Sequence, residues 1–117
     1  MSSTKRTVSA IEEAGQTCDV VEMDATSSAS VKHLVDACLA KHGRIDVLLT
    51  NVGQSQPGNA ADMSEDTWDD QMQINLKSVY LACHHVLPVM EAQSEGGSIV
   101  CVSSIAGLRY IGKDQIA

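Results

Sequence analysis

The segment Ile45-Asp46-Val47-Leu48-Leu49-Thr50 constrains the fold more than any other feature of the chain. It is almost unbroken in apolar character, as expected of a parallel strand covered by helices on both faces. Its neighbours agree. Upstream, Val31, Leu34, Val35, Cys38 and Leu39 recur at helical spacing; Ser27, Ser28 or Ser30 can cap that helix and Gly43 can end it. Downstream, Ser64 can cap a long helix over 65–92, with Glu65 and Asp66 in its first turn and an apolar stripe from Trp68 through Met72, Leu76, Val79 and Cys83 to Met90. Pro88 should bend or break that helix near its end, because proline removes a helix hydrogen bond and crowds the preceding turn. After Gly96-Gly97, the run Ser98-Ile99-Val100-Cys101-Val102 reads as a strand ending in Ser103-Ser104.

Before the first helix, Cys18-Asp19-Val20-Val21-Glu22-Met23 reads as a strand ending at Asp24, preceded by a helix over about residues 4–14 that Gly15 can cap. The order α, β, α, β, α, β implies parallel crossover units in an α/β sheet. In such sheets ligands collect beyond the carboxyl ends of the strands. Asp24, Asn51 and Ser104 all fall there, and side-by-side strand tips should gather them around one crevice.

A chain of 117 residues with 44% hydrophobic content suits one domain with a core. Eight basic against 15 acidic residues give a net charge of −7 without any basic cluster, which argues against nucleic acid and anionic membrane surfaces as partners. No stretch approaches the ~20 apolar residues that span a bilayer. Cys18, Cys38, Cys83 and Cys101 are irregularly spaced within apolar runs, so free buried thiols in a reducing, cytoplasmic compartment are expected. No metal site is expected: Cys83, His84 and His85 are successive on a helix and point about 100° apart. Asp62, Ser64 and Asp66 mimic calcium ligands, but Thr67 and Gln73 stand where such a loop needs Gly and Glu.

Four ordered segments resemble the short-chain dehydrogenase/reductase family over nearly the whole chain. Asp24-Ala25-Thr26 is similar to its Asp-Val-Thr turn, and Thr50-Asn51-Val52-Gly53 to its Asn-Asn-Ala-Gly, with Thr50 replacing the first Asn. Gln73-Ile74-Asn75-Leu76 resembles the segment carrying its helical Asn, and Ser98 to Gly107 its fifth strand and serine. The resemblance implies that Asp24 and Ala25 contact the adenine, that Asn51, Val52 and Gly53 line the ribose and nicotinamide side, that Asn75 distorts its helix and holds a relay water, and that Ser104 orients the substrate oxygen. Taken alone, each residue has a plainer reading: Asp24 as a turn or cap, Asn51-Val52-Gly53 as a turn, Asn75 as an interhelical polar contact, and Ser104 as a strand cap.

The resemblance also implies a Tyr general acid/base with a Lys four residues later, and a glycine-rich phosphate loop. Neither motif occurs among the 117 residues. The tyrosine would be due immediately after Ala117; Tyr110 has Asp114 rather than Lys at i+4. The expectation is therefore an incomplete NAD(P)-binding domain over 1–117: a partial Rossmann-like, doubly wound parallel sheet holding family strands 3 to 5. In the sheet order 3-2-1-4-5 two absent strands separate the first two present ones, so apolar edges should be re-paired or exposed. The complete protein would use NAD or NADP on a small organic substrate, with Gln54 to Pro57 and residues 108–111 near the pocket, and would be a homo-oligomer. This chain alone would be inactive. The alternative is a non-catalytic product that associates with a full-length relative through its long helix, as family members commonly do.

Overall fold

The computed structural model describes residues 3–109, 111 and 112. Its elements are α1 (Ser3–Glu13), α2 (Ser28–His42), β1 (Val47–Thr50), α3 (Glu65–Met72), a π turn (Gln73–Lys77), α4 (Ser78–Ala92), β2 (Ser98–Cys101) and a short 3-10 turn (Ile105–Gly107). This is an α/β, Rossmann-like arrangement with a small parallel sheet.

Local chemistry sets the boundaries. The Ser27 hydroxyl accepts from the Ser30 N–H at the start of α2, and Gly43, at φ 75°, ends the helix by donating to the Leu39 carbonyl. Ser64 likewise caps α3 through the Thr67 N–H. The strands β1 and β2 run parallel, with Val47 opposite Ser98 and Thr50 opposite Cys101. Bonds from Ser98 N to Asp46 O (2.8 Å) and from Val102 N to Thr50 O (2.9 Å) continue the ladder at both ends. The α3–π–α4 rod makes the crossover between them.

The core joins Val35 of α2, Ile45, and Val86 and Met90 of α4, with Leu48 and Ile99 packed onto it from the two strands. Side chains alternate along a strand, so Val47 and Leu49 take the opposite face, where they are 62% and 60% exposed. The expectation of a strand covered on both faces is thus corrected: α2 and α4 cover one face only. Gln93 locks the entrance to the sheet. Its Oε1 accepts from Ile45 N (2.8 Å), and its Nε2 donates to Ile45 O (2.9 Å) and Gly96 O (2.7 Å).

Three further expectations are corrected. Residues 18–23 form no strand; the sheet among the described residues is β1-β2. A strand exists only with a partner, and side chains alone hold this segment: Asp19 pairs with Lys41 and, at 3.3 Å, with His42 at the end of α2. The apolar edges stay exposed rather than re-paired, as Val20 at 58% shows. Of the bend or break expected at Pro88, the break does not occur, since the helix runs on to Ala92; Val86 and Met90, buried on either side of it, hold that turn on the core despite the missing hydrogen bond. The cysteines are all free, but Cys18 and Cys101 are exposed and Cys38 and Cys83 only partly buried, because the faces they occupy are incompletely covered.

Candidate cofactor and substrate site

Because β1 and β2 are parallel and in register, their carboxyl ends open on the same side. The segments that follow, Asn51-Val52-Gly53 and Val102-Ser103-Ser104, line one cavity of about 540 Å³ together with Asn75. Asn75 reaches it from the π turn. There the Ser78 N–H bonds to the Gln73 carbonyl, five residues back, while the Ser78 hydroxyl donates to the Ile74 carbonyl at 2.6 Å. Such widened turns occur inside α-helices, frequently at functional sites. The local helix distortion expected at Asn75 is present.

Asn75 clamps the loop after β1. Its Oδ1 accepts from Gln54 N at 2.8 Å and its Nδ2 donates to Gln54 O at 2.7 Å. A Cβ placed on Gly53 would lie 3.4 Å from Asn75 Oδ1, an ordinary contact, so the backbone of Gly53 runs directly beside the Asn75 amide. One helical turn earlier Gln71, 1% exposed, accepts from Gln56 N at 3.2 Å. Two amide side chains at i and i+4 therefore hold alternate residues of one loop. Gln71 and Gln93 were not singled out from sequence; the i, i+4 spacing of Gln71 from Asn75 was the available signal.

Ser104 opens the 3-10 turn, its hydroxyl accepting from Ala106 N at 3.2 Å. A hydroxyl that accepts in this way keeps its own proton to donate. Ser104 is exposed and borders the cavity, where its O–H can meet a carbonyl or hydroxyl oxygen.

Asp24 lies elsewhere. Its Oδ1 accepts from the Thr26 hydroxyl (2.7 Å) and the Thr26 N–H (2.8 Å), which closes an Asx turn before α2. The Thr26 hydroxyl first, and its backbone N–H second, lower the Asp24 pKa. Ala25 is buried and lines a second, largely apolar cavity of about 260 Å³ between α2 and β1. Asn51 and Val52 border both cavities. The single crevice expected for Asp24, Asn51 and Ser104 is thus corrected: two tips share a cavity, and Asp24, whose segment joins no sheet, does not line it. Gln54 and Ser55 line the site cavity, whereas Tyr110 of the 108–111 stretch lies outside the described residues.

The residues present fit one end of a dinucleotide. A glycine beside Asn75 and a donor hydroxyl face a cavity sized for a ribose and a flat ring, yet no glycine-rich loop for a pyrophosphate occurs in the sequence.

Comparison with known proteins agrees with this fold. The family model described as short chain dehydrogenase matches residues 1–114. A dehydrogenase/reductase of CLA biosynthesis from Lactiplantibacillus plantarum is 38% identical over 104 residues, covering 89% of this chain and 36% of its own length. A 3-oxoacyl-acyl-carrier-protein reductase from Thermotoga maritima is 37% identical over 90 residues, 77% of this chain and 36% of that protein. A solved structure from Burkholderia xenovorans, described as a short-chain dehydrogenase/reductase, superposes with a TM-score of 0.93 at 40% identity, covering 97% of this chain and 43% of that one. The chain thus spans little more than a third of the curated relatives it matches.

Proposed function

The chain belongs to the short-chain dehydrogenase family of oxidoreductases, and from that premise we propose that it contributes the nicotinamide-ribose and substrate side of an NAD(P)-dependent enzyme interconverting a hydroxyl and a carbonyl on a small organic substrate. The observation that carries this reading is the shared cavity of Asn51, Val52, Gly53, Asn75 and Ser104 at two strand ends. When bound, the cofactor supplies or accepts the hydride. The Ser104 O–H would hold the substrate oxygen and orient its carbon. The backbone at Val52 and Gly53 would flank the ribose and nicotinamide. Asn75 fixes that backbone through Gln54 and would hold the relay water that the family resemblance implies. Asp24 and Ala25 would meet the adenine once the gap beside β1 is filled by further strands. By itself the chain holds no Tyr-x-x-x-Lys pair and would not turn over.

A calorimetric titration tests this. NADH and NADPH should bind weakly and alike, since they share the nicotinamide-ribose end. Gly53→Val should abolish binding, and Ser104→Ala should retain it. Binding indifferent to Gly53→Val, or oxidation of NADH by a ketone in the presence of this chain alone, would contradict the proposal.

A second reading concerns assembly. Trp68, Leu76, Tyr80 and Leu87 along the α3–π–α4 rod are 43%, 64%, 60% and 43% exposed. An apolar rod of this kind supports association with a full-length relative or a second copy. Among the described residues no helix is long and apolar enough to cross a membrane, and the free cysteines suit a reducing, cytoplasmic setting.

A further inference from the structure

Two cysteines far apart in sequence meet beneath the site. Cys101 ends β2 and shares the face of Ile99, which packs on the core. Cys83 lies one turn before Val86 on the buried side of α4. Met90 lies against Gly97 at the start of β2 and Ile99 packs on the cluster of Val86 and Met90, so the preceding turn of α4 brings Cys83 beside Cys101. Cys101 is exposed and Cys83 partly so, and both are free.

We propose that Cys83 and Cys101 are a reversible dithiol/disulfide pair that ties α4 to the end of β2, three residues before Ser104. The oxidant is a low-molecular-weight disulfide, RSSR. The exposed Cys101 thiolate attacks one sulfur of RSSR, forming a Cys101–SR bond and releasing RS⁻. The Cys83 thiolate then attacks the Cys101 sulfur, forming the Cys83–Cys101 bond and expelling the second RS⁻. The two protons leaving the protein thiols protonate the two RS⁻. The pair is oxidised by two electrons, and RSSR is reduced to two RSH. Burial first, and the neighbouring Cys101 second, raise the Cys83 pKa; exposure makes Cys101 the thiol that a dissolved disulfide reaches first, and leaves the less accessible Cys83 to resolve the mixed disulfide.

The sequence provides an internal control. Cys83 and Cys101 are 18 residues apart, and Cys18 and Cys38 are 20 apart, so chain length alone gives the two pairs almost equal closure. Trypsin leaves Cys83 and Cys101 together in the peptide 78–109 and separates Cys18 (7–32) from Cys38 (33–41). The full chain is incubated with glutathione disulfide, native and in denaturing urea, then blocked and digested. In the native chain the 78–109 peptide should be lighter by two hydrogens and exceed the Cys18–Cys38 link by on the order of tenfold; in urea the two should be comparable. Cys83→Ser should leave a stable glutathione adduct on Cys101. The proposal is overturned by equal yields of the two links in the native chain, by a persistent Cys101 adduct in the unsubstituted chain, or by an unmodified 78–109 peptide.

Discussion

Replacing Asn75 by alanine isolates the contact that shapes the site. The substitution removes both bonds to Gln54, at 2.8 Å and 2.7 Å. Gln54 is exposed, so water replaces the lost partners and only the net value of each bond counts, about 1 kcal/mol apiece. Alanine is the best helix former and adds no propensity cost on the rod. A loss of about 2 kcal/mol in the local closing of the loop corresponds to roughly thirtyfold faster amide exchange at Gln54, at about 1.4 kcal/mol per factor of ten. The Gln56 amide, held by Gln71 at 3.2 Å, should change less. Asn75→Asp separates the two bonds, because a carboxylate still accepts from Gln54 N but offers no donor to Gln54 O. Exchange resolved by NMR should therefore rank Asn75→Ala fastest, Asn75→Asp intermediate and the unsubstituted chain slowest. Unchanged exchange at Gln54 in Asn75→Ala, or identical rates in the two variants, would refute the clamp.

Other consequences are equally concrete. Gln93→Ala removes three part-buried backbone bonds and should lower stability to urea by about 3 kcal/mol, with Gln93→Glu, which keeps the acceptor for Ile45 N, losing less. Asp19 is held below its ordinary value of 3.8, chiefly by its hydrogen bond from Lys41. A depressed carboxylate contributes stability that is fully present above the unfolded value and lost as pH falls through the lower folded one, so segment 16–24 should leave α2 only below about pH 3.8. An NMR titration of Asp19 checks this, and Lys41→Ala should move its midpoint upward. Leu49→Lys, on the uncovered sheet face, should raise the monomeric fraction in light scattering without loss of helix content; an unchanged fraction would mean that this face does not drive association.

What was legible in the sequence was what is decided locally. Ser27 and Gly43 bracket α2 through side-chain and backbone hydrogen bonds formed within the helix ends themselves, and Ser64 does the same for α3. The pattern Val31–Val35 marked a buried face that the structure keeps. A strand is a non-local object. Residues 18–23 have strand-like composition, but no neighbouring strand among the described residues supplies the ladder, and alternation within Ile45–Thr50 could not say that only one face would be covered. The same division runs through the site. Asn51, Asn75 and Ser104 were found by motif and meet because the strands are parallel, whereas Asp24 turned out to satisfy its own turn. Gln71 carried only the signal of its i, i+4 spacing from Asn75, and Gln93 none, because a glutamine's partner is fixed only when a loop folds back onto it.

The most direct test of the shared site is amide shift mapping with nicotinamide mononucleotide, which carries the ring and ribose but no adenine. Val52, Gly53 and Ser104 should shift together along a single saturable curve, with Thr26 and Ser27 unmoved. Shifts confined to the start of α2, or Gly53 and Ser104 titrating independently, would contradict the account.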